Sequence, residues 1–266
     1  MKGDKMKRIK FMLATFVGVF TVLVPVLALS TAPAMADPTT VPLCPGGDVT
    51  AVHGTHKNLT ITGQDYVATA GLTVRGNLTI APGACLDAFS LAPVHVRGSI
   101  FVYQGATLAL GCSPGALGPP IQPPCNSETT SDTVGGNIVA SQPLTMYLTA
   151  NNIGGSVVSI GGGPGLGAPP TTPYVNFPTK ENTIGGNLVI EGWQGAWMGA
   201  VRNNVGGNVI ISNNTSAINP DSTEVATNTI GGNLICTGNS PAAQFGDSGG
   251  TANAVGGKKK RQCAGL

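Results

Sequence analysis

The chain has 266 residues, including 39 glycines and 20 prolines, and only 10% of its side chains are charged and 5% aromatic. With 41% hydrophobic residues and a mean hydropathy of +0.19, it lies outside the low-hydrophobicity regime of disordered chains. No strict Gly-X-Y triplet occurs, which excludes collagen. The formal net charge of +2 comes from the two ends of the chain, so it offers no footprint for nucleic acid.

The first segment reads as a secretory signal over 1–36. Lys2, Lys5, Lys7, Arg8 and Lys10 precede the uncharged run Phe11–Ser30, and Ala34-Met35-Ala36 matches an A-x-A cleavage site, with cleavage after Ala36. The alternative is a retained anchor, because the run is long enough to span a bilayer, although Pro25 interrupts it. After cleavage no stretch would be long enough to span a membrane. Five of the 14 basic residues and one of the 12 acids would leave with the signal. The remaining 9 bases and 11 acids give a net charge of −2, and the portion before Lys258 stands at −6.

A short N-terminal lead-in, 37–50, follows. All six cysteines, Cys44, Cys85, Cys112, Cys125, Cys236 and Cys263, lie after the leader, and this even count favours disulfides. Cys112 and Cys125 bracket a Gly/Pro-rich loop at 111–130 and form the first expected pair. Closing that loop would contribute roughly 3 kcal/mol. Cys236 and Cys263 are 27 residues apart, near one repeat, which leaves Cys44 with Cys85. Zinc is the competing reading, but the chain has no CxxC pair.

Residues 51–257 carry an internal repeat. The copies are Lys57-Asn58-Leu59-Thr60-Ile61, Gly76-Asn77-Leu78-Thr79-Ile80 and Gly98-Ser99-Ile100-Phe101-Val102, then Gly-Gly-Asn or Gly-Gly-Ser at Asn137, Ser156, Asn187, Asn208 and Asn233. A degenerate ninth ends at Lys258. Successive anchors are 19, 22, 38, 19, 31, 21, 25 and 25 residues apart, and the 38 suggests a hidden degenerate turn. Position −3 is Val or Ile from Val74 to Val255, and position +1 is aliphatic from Leu59 to Leu234. Position +3 shares the +1 face, because strand side chains alternate with period two. One short β-branched strand per copy predicts stacked coils, spaced about 4.8 Å apart, with a continuous aliphatic core. Glycine and asparagine would supply left-handed turns, and stacked asparagines would form hydrogen-bonded ladders. Asn58, Asn77, Asn213 and Asn214 also match glycosylation sequons.

The repeated Gly-Asn-Leu-x-Ile pattern and Gly-Ala-Thr-Leu-Ala-Leu over 105–110 resemble the right-handed parallel β-helix, and within it the polymer-forming bactofilin-type repeats. The resemblance covers about residues 50–260. It implies an all-β, single-stranded solenoid of about eight to nine coils. Pectate-lyase-like enzymes share that architecture, so the resemblance implies a search for clustered carboxylates and an arginine base.

That search returns no catalytic signature and no cofactor or metal constellation. His53, His56 and His95 lack metal-site spacing, no Gly-x-Ser-x-Gly elbow occurs, and no two acids share a column in adjacent coils. His56, Arg75 and Arg97 do share one, two residues before the anchor. They form either an electropositive ladder for an anionic glycan or a solvated edge.

The outward position, +2, reads Thr60, Thr79, Phe101, Val139, Val158, Val189, Ile210 and Ile235. An aliphatic stripe of this kind calls for a cover, supplied by the chain, by a second copy or by a partner. Trp193 and Trp197 form either a sugar-stacking pair or a hydrophobic plug. The last segment, 258–266, reads as a basic cap, in which Lys259 and Lys260 would block edge-to-edge growth or touch anionic wall polymers. The expectation is a secreted, non-catalytic, structural or adhesive protein at the envelope surface or outside the cell, with self-association or wall contact. The alternative is a glycan-binding or glycan-cleaving module. A two-step threonine ladder, Thr60 and Thr79, gives weak support to ice binding.

Overall fold

A computed structural model of the chain describes residue 44 and residues 50–114, 128–165, 176–216 and 219–266. The expected signal at 1–36, most of the lead-in at 37–50 and Cys125 lie outside the described residues. The described chain is all-β, and its strands pair in parallel into a β-solenoid of about eight turns, whose two sheets have 15 and nine strands.

Three faces result, because each coil contributes up to three strands where the repeat predicted one. The first face is the nine-strand sheet, running from Leu59–Ile61 through Leu78–Ile80, Ile100–Val102, Ile138–Ser141, Val157–Ile160, Leu188–Glu191, Val209–Ser212 and Leu234–Thr237 to Lys259–Arg261. The second face comprises Cys85–Ala88, Thr107–Leu110, Thr145–Thr149, Asn176–Lys180, Trp197–Val201 and Glu224–Ala226. The third runs from Val94–Val96 through the two-residue strands Thr133–Val134, Asn152–Ile153, Thr183–Ile184, Asn204–Val205 and Thr229–Ile230 to Ala254–Val255. The long strand Gln64–Val74 belongs to both sheet rows, and Thr50–His56 pairs along it.

The repeat columns are spatial columns. Leu78 pairs with Ile100 and Ile100 with Ile138, with all three side chains fully buried. Leu86, Leu108 and Leu148 from the second face and Val96, Val134 and Ile153 from the third join them in one core. Burial of each such side chain stabilises by about 1.5–3 kcal/mol. The 38-residue gap hides no coil, since Ile100–Val102 pairs directly with Ile138–Ala140. The extra length falls between the strands Thr107–Leu110 and Thr133–Val134.

The Gly-Gly-Asn turns work differently from the expected left-handed corner. Their glycines do not have positive φ. A Cβ on Gly155 would lie 2.3 Å from Asn137 Oδ1 and 2.8 Å from Gly136 O, so the position is glycine because the coils approach too closely for a side chain. The anchor oxygen that fills this space accepts from the next coil: Ser156 N donates to Asn137 Oδ1 at 2.8 Å, and equivalent bonds run from Asn58 to Lys258. The ladder explains Asn58 and Asn77 structurally.

A second asparagine ladder is buried. The backbone N and Nδ2 of Asn151, Asn182, Asn203 and Asn228 each donate to the Oδ1 of the next member, ending at Asn253. Asp132 occupies the position before Asn151 in this column. Its Oδ1 accepts from Val94 N at 2.8 Å. Asp132 Oδ2 and Asn151 Oδ1 each lack a hydrogen-bond partner among the described residues. Burial pushes the Asp132 carboxyl up to about 7, against the opposing pull of the Val94 and Gly111 amides.

Two of the expected disulfides are present, Cys44–Cys85 and Cys236–Cys263, with Cα–Cα separations of 5.5 and 5.2 Å. Cys112 is fully buried and disulfide-bonded. The basic segment adds a last strand, Lys259–Arg261, on Leu234–Cys236, and buried Cys263 and Leu266 close the core behind it.

Candidate functional site

Two regions of the solenoid surface stand out. The first is the outer surface of the first face. Thr60, Thr79, Phe101, Val139, Val158, Val189, Ile210 and Ile235 pair in unbroken register, and Lys260 ends the row. Alternation sends these side chains outward, while Val157, Leu188, Ile190, Val209 and Ile211 point into the core. Val139 is 37% exposed, and Val158, Val189, Ile210 and Ile235 are half-buried. Ile160, two residues beyond Val158 on the same side, is 46% exposed. The half-burial comes from neighbours along the row at about 4.8 Å spacing.

The second region is the outer surface of the second face near its C-terminal end. The register Lys180, Val201, Ala226 and the register Pro178, Gly199, Glu224 both point outward, yet all six residues are buried. The segment 241–250 pairs in parallel with the edge of this face at Gln244 and then reaches over its outer surface at Ser248, which meets Lys180 and Arg202. Gln244 N donates to Thr223 O at 3.1 Å, Val225 N donates to Gln244 O at 2.8 Å, and Gln244 Nε2 reaches Pro220 O at 2.7 Å.

Charge gathers here. Arg202 Nε donates to Glu181 Oε1 at 2.9 Å, and Ser113 Oγ donates to Glu181 Oε2. Arg202 Nη1 reaches Ser248 O at 3.2 Å. Lys180 Nζ sits 4.7 Å from the centroid of the Trp197 ring and 3.4 Å from Ser248 Oγ. Burial pushes the Lys180 ammonium below its ordinary range, with nearby Glu224 opposing that shift. Glu224 has no exposed surface, and burial raises its carboxyl, while the Ser248 hydroxyl, the Asp247 amide and Lys180 pull against the rise. Asp247 N donates to both Asp221 Oδ2 and Glu224 Oε1 at 3.1 Å. Asp221 is raised by burial first and then by a hydrogen bond shared with Asp247.

The residues singled out from the sequence fare unequally. Trp193 is fully buried, edge-on to Phe177 with centroids 6.0 Å apart, so it fills the core and cannot stack a sugar. Trp197 is half-buried and carries Lys180 over its ring, and the two indoles form no joint platform. Arg75 and Arg97 are exposed on successive coils, and among the described residues no carboxylate forms an ion pair with either. His56 Nε2 contacts His53 O at 3.0 Å, a local turn contact.

The charged cluster was not visible from the anchors read forward. Glu224, Gly199 and Pro178 each stand nine residues before an anchor, so reading the columns backward would have aligned them. Among the described residues no helix is long and apolar enough to cross a membrane. No family model, curated protein or solved structure matches the chain.

Proposed function

We propose that the chain is a secreted, non-catalytic β-solenoid with a structural or adhesive role, acting by packing its first face against the first face of a second copy. The observation that supports this reading is the charge-free outward row from Phe101 to Ile235, in register and partly exposed. A row of β-branched side chains repeating every ~4.8 Å makes ridges and grooves that another row of the same step matches along its whole length. A second copy of the chain carries that step by construction. Disulfides fit an oxidising, extracellular compartment.

Five strand steps give a patch about 24 Å long and about 10 Å wide, well under the roughly 800 Å² per partner of a standard interface. One pair of faces therefore binds weakly, and strength comes from many copies held side by side, as in a surface layer.

Sedimentation velocity of the full chain over a range of concentrations tests the reading. The wild type is expected to associate as concentration rises. The double variant Val158→Lys/Val189→Lys is expected to sediment as a smaller species with an unchanged melting temperature. Identical sedimentation of the two proteins would remove the first face from the account. A second reading, an anionic glycan held by Arg75 and Arg97, rests on their exposure on adjacent coils. Loss of polyanion binding in Arg75→Ala/Arg97→Ala, with association intact, would favour it.

A further inference from the structure

Face-to-face packing leaves the acidic end of the second-face cluster without a role. We propose that Asp221, Glu224 and Asp247 bind one divalent, oxygen-preferring cation of the calcium type, which fastens the 241–250 segment to the outer surface of the second face.

One carboxylate oxygen from each of the three residues lies within 4.8 Å of the others. Three acids gathered near a surface are not by themselves a site, and the second observation is Glu224. Its side chain is fully buried, and its Oε2 meets no hydrogen-bond donor among the described residues. A buried carboxylate oxygen without a donor is unfavourable unless a proton or a cation joins it. The other oxygen, Oε1, accepts the amide that also serves Asp221 Oδ2, so both carboxylates already face the loop that carries Asp247. Gly246 keeps the approach open: a Cβ there would lie 2.1 Å from Glu224 Oε1.

Charge and donor type select the ion. Arg202 pairs with Glu181, and Lys180 offsets one of the three remaining carboxylates. The net charge left at the cluster is −2, which a divalent ion balances. The donors are all oxygen, with no histidine or thiol in the group, which fits a hard cation. Calcium accepts irregular oxygen shells completed by water, whereas magnesium demands near-octahedral geometry.

The test is isothermal titration of calcium chloride into the chelator-stripped full chain, with magnesium chloride as a control, for the wild type, Glu224→Gln and Asp247→Asn. Asp247 is exposed, so its variant keeps the experiment valid even where Glu224→Gln disturbs packing. The expected result is one calcium per chain, weakened about tenfold or more in each folded variant, with amide exchange at 246–250 slowed by calcium in the wild type alone. No binding up to about 10 mM calcium, or binding unchanged in Asp247→Asn, would overturn the proposal.

Discussion

The first and second faces are built from the same coils but present opposite outer surfaces. Between third and first faces the chain turns through a short segment, ending in Asn or Ser in the first eight copies and in Lys258 in the last, so the first face keeps one register from Leu59 to Arg261. The other corners vary in length: the longest, from Leu110 to Thr133, lies between second and third faces, and the corner between first and second faces varies from coil to coil. From Ser141 to Thr145 it is short, from Ser212 to Glu224 longer, and from Ile160 to Asn176 longer still. Constant turns give a regular aliphatic surface, whereas the long segment between Thr237 and Ala254 brings Ser248 over the second face, beside Lys180 and Arg202. Repetition specifies the stack, and insertions specify local chemistry.

The largest expected effect compares adjacent residues on one strand. Val157 is fully buried and Val158 points outward. Val157→Lys is expected to abolish folding, since an unpaired charge enters the core at a cost above about 4 kcal/mol. Val158→Lys is expected to change stability by about 0.5 kcal/mol or less. Urea unfolding of both proteins checks this, and equal losses would break the inside-outside assignment.

Asp132 follows. In the unfolded chain it ionises near 3.8, whereas in the fold it keeps its proton to about 7. The folded state therefore binds more protons between those values. Stability present in full below about pH 4 falls as pH rises through 7, by up to roughly 4 kcal/mol. Asp132 Oδ2 and Asn151 Oδ1, on successive members of one column, are both without hydrogen-bond partners among the described residues. Asp132→Asn supplies a permanent donor, so the variant is expected to lose this slope and to melt higher than the wild type at pH 8. Melting curves from pH 4 to pH 8 for both proteins are the check.

Asn203→Ala removes one rung of the buried ladder. It takes the side-chain acceptor from the Asn182 backbone amide and Nδ2, and one side-chain donor each from Thr179 O and Asn228 Oδ1, while the backbone amide of residue 203 still serves Asn228 Oδ1. The expected loss is about 3 kcal/mol, read by chemical denaturation. The smallest effect is at the variable corner: Arg202→Ala, which removes a partly exposed pair with Glu181, is expected to cost about 0–1 kcal/mol and to lose part of that with added salt.

The stack was legible because its information is repetitive. Leu78, Ile100 and Ile138 share one column of the repeat, and their strands pair them directly. The disulfides Cys44–Cys85 and Cys236–Cys263 follow from coil-length spacing and elimination. The second and third faces were harder to see, since strands of two residues, such as Asn152–Ile153, have too few positions to show alternation. The buried asparagines 151, 182, 203, 228 and 253 stand five residues before their anchors, a column that only backward alignment displays. For Trp193 the sequence leaves a sugar-stacking residue and a hydrophobic plug both open, because an aromatic beside glycines suits either, and the residue lies in the core edge-on to Phe177. The carboxylates of Asp221, Glu224 and Asp247 were illegible because two of them lie on inserted segments outside the repeat.

The central claim is that residues of successive copies are neighbours along one outward row. The most direct measurement is the dipolar coupling between two nitroxides, placed at Val139→Cys and Val189→Cys of one chain and diluted with unlabelled protein. These positions are separated by two strand steps, so the account predicts backbones about 10 Å apart and strongly broadened spectra. A separation beyond about 20 Å would put the two valines on different rows and contradict it.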